Sequence, residues 1–332
     1  MRQNRKKGIL AALLAALIVT GLAGCKGLGN TEIVLTTGLS GNQLFKVGKS
    51  VCTLPEAMIY VMDYQDQYEG TYGVEMWEHD FGGVTLEEYV KDTIVSQLAS
   101  LKAVTLLAEE YKVELSDSEK AKVEAAADAY YDALSKEAIA YMEIEKSDVA
   151  DLYETHVLSQ KVYAEITKDV NTEVSDDEAR IITIQQIRLE TLEDAQSIQT
   201  KLNEGKEFMT LASVYSKDSQ ITYTFGRGEK SADYEAAAFD LDNDEVSPIL
   251  ELEDGFYILK CVNNFDREAT EANKTTMLEK RRDEIFSQVY EELIANTPSE
   301  FNNKLWDQVH FENWTGEITA DFLEIYNEYF EV

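Results

Sequence analysis

Histidine and cysteine are scarce, with three of each in 332 residues, and neither type clusters. His79, His156 and His310 stand far apart, and no spacing of Cys with His matches a metal site, so each histidine is read as a surface or packed residue. Basic residues are also few: 30 Lys and Arg stand against 63 Asp and Glu, a formal net charge of −33 at pH 7. Such a field repels nucleic acid and bare anionic lipid, which excludes both as partners and suits a solvated surface or basic clients. The apolar run over residues 9–19 is too short for a comfortable membrane span. Internal repeats and low-complexity tracts are absent. The 44% of hydrophobic residues is enough for two or more cores.

The chain does start with a targeting pattern. Arg2, Arg5, Lys6 and Lys7 precede the apolar run, and Leu22-Ala23-Gly24-Cys25 follows it. Small residues ahead of a cysteine resemble a bacterial lipobox. That resemblance implies cleavage after residue 24, lipidation of Cys25 and anchoring by two acyl chains. An ordinary secretory signal with an incidental cysteine is the alternative, and both export the protein. Removal of residues 1–24 takes four of the 30 basic side chains and none of the acidic ones, leaving 26 against 63 and a net charge of −37. Cys52 and Cys261 then remain in a compartment that permits disulfides; two buried thiols are the expected state and a bridge the alternative.

The stretch over residues 180–266 organises the rest. Its opening run, Ile181 to Leu189, is rich in β-branched residues and predicts a strand. Thr191-Leu192-Glu193-Asp194 is a helix start, Ala195, Ile198 and Leu202 trace one face, and Gly205 sits where a helix ends. A second short helix carries Phe208, Leu211, Ala212 and Tyr215. Beyond Ser216-Lys217-Asp218-Ser219 come a turn with Gly226 and Gly228, a short run from Tyr234 to Phe239, and Glu245-Val246-Ser247-Pro248. Asp254-Gly255 then turns into a last strand, Phe256 to Val262. The result is a small α+β unit. These signals, in this order over roughly ninety residues, resemble the parvulin family of peptidyl-prolyl isomerases, and within it the lipid-anchored extracytoplasmic foldases. The family's two facing histidines read here as Gln186 and Tyr257, and a methionine of its proline pocket reads as Lys230; Asp218, Tyr234 and Phe239 fit the pattern.

Isomerisation of an X–Pro bond crosses a barrier of about 18–20 kcal/mol and needs no metal, cofactor or covalent intermediate. It needs a twisted amide in a weakly polar pocket with a polar group that favours the twisted state. The resemblance therefore implies Asp218, with Gln186 and Tyr257, as the catalytic group, and Tyr234, Phe239, Lys230 and Leu252 as the proline pocket. Gln186 and Tyr257 are expected to hydrogen-bond each other across neighbouring strands. The bland alternative is that Asp218 only caps a turn.

Around this unit the chain reads as helical. Leu44 to Ala57 predicts strand, turn, strand and a helix with Pro55 in its first turn. Thr85-Leu86-Glu87-Glu88 and Ser116-Asp117-Ser118-Glu119 are capping boxes, and Val149, Leu152, Tyr153, His156, Val157, Gln160 and Tyr163 form a helical stripe. Tyr60, Tyr64, Tyr68, Tyr72, Met76, Trp77 and Phe81 form an aromatic-rich stretch, read first as a packed helix face and second as a client-binding surface. A long helix is expected over residues 268–296, with Ile285, Val289 and Leu293 on one side, and a further helix starting at Thr297-Pro298-Ser299-Glu300. The last stretch, 319–332, is either an amphipathic end helix or mobile.

The expected organisation is a signal segment (1–24), a tether (25–43), an N-terminal helical chaperone module (44–175), the parvulin-like domain (176–266) and a C-terminal helical segment (267–332) packing on the N-terminal module. The function implied is that of a membrane-anchored foldase acting on unfolded secreted chains, isomerising their prolyl bonds; homodimerisation is left open. A holdase with a non-catalytic parvulin domain is the second reading, and a solute-binding lipoprotein is the third, disfavoured because long helices flank one small sheet.

Overall fold

The computed structural model describes residues 38–330 apart from 40, 312, 313, 315 and 317. Cys25, segment 1–24 and most of the 25–43 tether lie outside the described residues. Strands β1 (Gln43–Val47) and β2 (Ser50–Thr53) lead into helices α1 (Leu54–Tyr72), α2 (Leu86–Thr105), α3 (Leu107–Tyr111), α4 (Asp117–Ala133), α5 (Lys136–Met142), α6 (Lys146–Thr167) and α7 (Asp176–Ala179). Then come β3 (Ile182–Leu189), α8 (Leu192–Asn203), α9 (Phe208–Tyr215), β4 (Thr222–Phe225), α10 (Ala232–Asp240), β5 (Leu250–Leu252) and β6 (Gly255–Asn263). The chain continues through α11 (Arg267–Asn296), β7 (Ser299–Phe301), α12 (Asn303–Trp306) and α13 (Phe322–Phe330). Two compact units result: residues up to 169 together with those from 283, and residues 170–282. The α+β class expected from the sequence is the one observed.

In the first unit the helix starts follow local chemistry. Thr53, Thr85 and Ser116 each accept from the backbone N–H three residues on, and Glu56, Glu88 and Glu119 each reach back to the cap's own N–H. Those reciprocal bonds satisfy donors a helix start otherwise leaves bare. The core joins both ends of the chain: Leu44, Ile59, Met62, Ile94, Leu98 and Leu152 cluster with Phe311, Phe322 and Tyr326. Tyr60 and Trp77 are buried, and Tyr64 and Tyr68 pack half-buried on the same cluster, so these aromatics are helix-face packing; Phe81 is exposed. Phe286, rather than the exposed Ile285, is the buried residue at that level of α11.

Residues 299–301 form a strand, not the expected helix start. Their antiparallel pairing with β1 (Phe45 opposite Phe301) completes a β2-β1-β7 sheet. The Thr297 hydroxyl, read as a cap for a new helix, instead donates to the Leu293 carbonyl at the end of α11 (2.7 Å), and the Pro298 carbonyl accepts from Gly48 N–H (2.9 Å). An open strand edge thus outbids a local capping signature. Cys52 and Cys261 are buried free thiols, so the alternative of a bridge between them is not realised.

His156 on α6 is buried, with Nε2 2.6 Å from the Tyr60 hydroxyl. Burial, and secondarily the charge of Lys102, pushes its pKa down to about 4. The folded state therefore keeps it neutral while the unfolded chain protonates it below pH 6.5, so its contribution is complete above pH 6.5 and is lost as pH falls to about 4. We expect that loss to approach about 3 kcal/mol. Asp63, whose carboxyl burial raises, changes stability in the opposite sense. The measurement is therefore the difference between the parent and His156→Gln in urea unfolding across this window, which should show the extra slope only in the parent. Trp77, Trp306 and Trp314 are the chain's three tryptophans and all belong to this unit, so their fluorescence reports its unfolding.

The second unit is a four-stranded antiparallel sheet in the order β4-β3-β6-β5. β3 buries opposite faces along its length, Ile182, Ile184 and Gln186 on one side and Ile187 and Leu189 on the other. Ile182 and Ile184 pack with Phe225, Tyr234, Phe239 and Leu259, while Ile187 and Leu189 pack against Ala195, Ile198, Phe208 and Leu211 of α8 and α9. A register shift between Thr183 and Ile184 sets Gln186 opposite Leu259 and Arg188 opposite Tyr257. β4 was not expected, although its Thr-Tyr-Thr-Phe composition before Gly226 suits a strand.

Candidate active site

Strand residues two apart share a face, so Gln186 and Arg188 continue the side of β3 that carries Ile182 and Ile184. The loop after α9 is pinned to the same strand. Lys217 N–H donates to the Arg188 carbonyl (2.9 Å), and Ser216 Oγ accepts from the backbone N–H groups of Arg188 (3.2 Å) and Asp218 (3.3 Å). This places the Asp218 carboxylate over the strand, where one oxygen accepts from Gln186 Nε2 (2.5 Å) and the other from Arg188 Nε (2.6 Å). Gln186 Oε1 in turn accepts from the Tyr234 hydroxyl of α10 (2.6 Å). The result is a continuous network from Tyr234 through Gln186 and Asp218 to Arg188.

Burial differs along that network. Gln186 and Tyr234 are 5% and 4% exposed. The side chains of Arg188 and Asp218 keep 24% and 21% of their surface accessible. The polar end is therefore reachable while its supports are locked. The bond to Asp218 holds the Arg188 guanidinium even more firmly protonated than usual. Burial raises the Tyr234 phenol well above the ordinary tyrosine range, so it stays a proton donor at neutral pH.

Aromatic rings surround these groups. The Tyr234 ring centroid lies 5.9 Å from those of Phe225 and Tyr257, edge-on to the latter. The Lys230 ammonium lies 4.6 Å from the Tyr223 ring centroid and 5.8 Å from that of Phe225. Leu252 packs half-buried against the same cluster.

One expectation needs correction. Gln186 and Tyr257 do not bond each other: the Tyr257 hydroxyl donates to Asp254 Oδ2 (2.9 Å), and Gln186 is committed to Asp218 and Tyr234. The register sets Arg188, not Gln186, opposite Tyr257, and a glutamine is long enough to reach the loop instead. Phe239 is buried beside this network, its ring edge-on to Phe225 (5.8 Å), with the guanidinium carbons of Arg180 and Arg227 at 5.0 and 4.4 Å. Sequence reasoning missed Arg188, Tyr223 and Phe225. The period of a strand signals Arg188, since it shares a face with Gln186.

Residues 179–263 match the family model of the rotamase, PPIC-type PPIase domain. The foldase protein PrsA of Caldanaerobacter subterraneus subsp. tengcongensis is 24% identical over 306 residues, covering 85% of this chain and 93% of that one. Foldase protein PrsA 1 of Listeria monocytogenes is 33% identical over 93 residues, 26% of this chain and 32% of that one. Among solved structures, the peptidylprolyl isomerase PrsA of Bacillus cereus covers 74% of this chain and 91% of its own at 19% identity, with a TM-score of 0.35. Residues 179–263 thus form a PPIC-type peptidyl-prolyl isomerase domain of the parvulin kind, carried in a chain that is similar over most of its length to PrsA foldases.

Proposed function

We propose that the chain is an exported foldase, lipid-anchored through Cys25, that holds unfolded secreted proteins on its helical unit and isomerises their prolyl bonds at the Asp218 site. The observation that carries the catalytic part is the Gln186–Asp218–Arg188 network, set among aromatic rings within the matched domain. A planar amide concentrates negative charge on its carbonyl oxygen, and twisting the C–N bond withdraws that charge by breaking conjugation. A fixed carboxylate near the carbonyl therefore raises the energy of both planar forms more than that of the twisted one, which is differential binding in favour of the transition state. In this reading Gln186 and Arg188 are positioning residues that fix the carboxylate, and the rings supply the weakly polar pocket. The leader residues 1–24, the anchor and the division of labour between the units rest on the sequence pattern.

The test is a protease-free prolyl isomerase assay on the chain from Lys26 onward. Asp218→Ala is expected to lower kcat/KM about tenfold, equivalent to ~1.4 kcal/mol of transition-state stabilisation, with an unchanged circular dichroism spectrum. A parent without turnover would leave a binding module in place of the isomerase, the reading that the replacement of both family histidines favours.

A further inference from the structure

We infer that Tyr234 is a further positioning residue of the site: its hydroxyl fixes which end of the Gln186 amide faces Asp218. The effect on turnover rests on the reading that this site isomerises prolyl bonds. The two ends of a glutamine amide are alike in shape but opposite in role, one donating and the other accepting. A carboxylate can only accept, so the Asp218 oxygen 2.5 Å from the Gln186 side chain requires the Nε2 end. The reverse orientation would set two acceptors against each other. Gln186 Oε1 then has to accept from elsewhere, and the Tyr234 hydroxyl donates to it at 2.6 Å.

The surroundings leave that task to Tyr234. The Tyr257 hydroxyl is engaged with Asp254 (2.9 Å), and Gln186 is only 5% exposed, so neither a second phenol nor bulk water is at hand for Oε1. The Gln186 backbone is fixed as well, its N–H donating to the Ile221 carbonyl (2.9 Å), which leaves the side-chain torsions as its freedom. Tyr234 is held in turn by ring packing against Phe225 and Tyr257, both at 5.9 Å. The network therefore runs in one direction, from the Tyr234 donor through Gln186 to Asp218. Phenylalanine at 234 would keep the ring and lose the donor. Gln186 Oε1 would become a buried acceptor without a partner, and the amide would turn or withdraw from Asp218. Because the ring remains, substrate binding is retained and the loss belongs in kcat and not in KM.

The experiment measures turnover, and the side-chain amide resonances of isotope-labelled glutamine, in the full chain from Lys26 onward. It compares the parent with Tyr234→Phe, Gln186→Met and the double variant, with circular dichroism as the check on folding; Gln186→Met identifies the Gln186 signal by its loss. Tyr234→Phe should lower kcat about threefold with KM unchanged, less than Asp218→Ala because Arg188 still holds the carboxylate. The double variant should lose no more than Gln186→Met alone, since Tyr234 acts through Gln186. In the parent one Gln186 amide proton should be displaced downfield by its bond to Asp218, and in Tyr234→Phe it should return to the position of exposed glutamines. A displaced proton that persists in Tyr234→Phe overturns the inference, as do losses that multiply in the double variant. A change confined to KM in Tyr234→Phe overturns it too, because that is the mark of a residue that only walls the pocket. A parent without turnover overturns the isomerase reading instead, and the amide resonances then decide the orienting role by themselves.

Discussion

Lys102→Met is expected to destabilise the helical unit by about 3–5 kcal/mol, because it strands a buried carboxylate. The Lys102 ammonium lies 2.5 Å from Glu56 Oε1, and the two side chains are only 9% and 5% exposed. The other Glu56 oxygen accepts from Thr53 N–H (2.7 Å) at the start of α1, so the glutamate cannot swing into water without opening the helix cap. Removing the cation leaves Glu56 charged and unpaired in the core, or forces it to take up a proton. The paired variant Glu56→Gln/Lys102→Met removes both charges and should recover most of the loss. Urea unfolding followed by tryptophan fluorescence measures all three proteins; a single variant within about 1 kcal/mol of the parent would mean that water already screens the pair.

Phe322→Ala should have a comparable effect, about 3–5 kcal/mol, by a different route. The ring is fully buried, stacked on Tyr153 at 4.3 Å and edge-on to Tyr130 at 5.5 Å. Its backbone is equally committed: the N–H donates to Asp63 (3.1 Å), and the carbonyl accepts from the Tyr153 hydroxyl (2.9 Å). α13 has nine residues, too few to stay helical in water without packing, and Phe322 and Tyr326 are its buried side chains. Loss of the ring should therefore free α13 as well as leave a cavity. Limited proteolysis should cut the variant within residues 318–330 under conditions that spare the parent, and an intact C-terminus in a destabilised variant would show that the cavity alone accounts for the loss.

The order of elements in the second unit was legible because each carries a local signature: β-branched residues in β3, the Thr191 cap and Gly205 around α8, and Asp254-Gly255 before β6. The same local logic failed at Ser299–Phe301, where pairing with β1, a partner far away in sequence, decided the conformation. At the site, sequence pointed to Asp218, Tyr234 and Gln186 but paired Gln186 with the wrong group. Cross-strand neighbours depend on register, and here a register shift between Thr183 and Ile184 fixes it. Lys230 was noted only as a departure from a methionine; the rings of Tyr223 and Phe225 beneath it are not displayed by a linear sequence.

The pairing of β7 with β1 has a consequence for how the protein is made. Asn302 donates through Nδ2 to the Gln43 carbonyl, a partner 259 residues away in sequence. A chain that emerges amino end first therefore exposes one edge of β1 while the next two hundred and more residues are still arriving. During that interval residues 170–282 can fold on their own contacts, but the helical unit lacks its closing strand and α13. The helical unit thus passes through an unfinished stage, with an open strand edge that another copy of the same chain can pair with if emergence stalls.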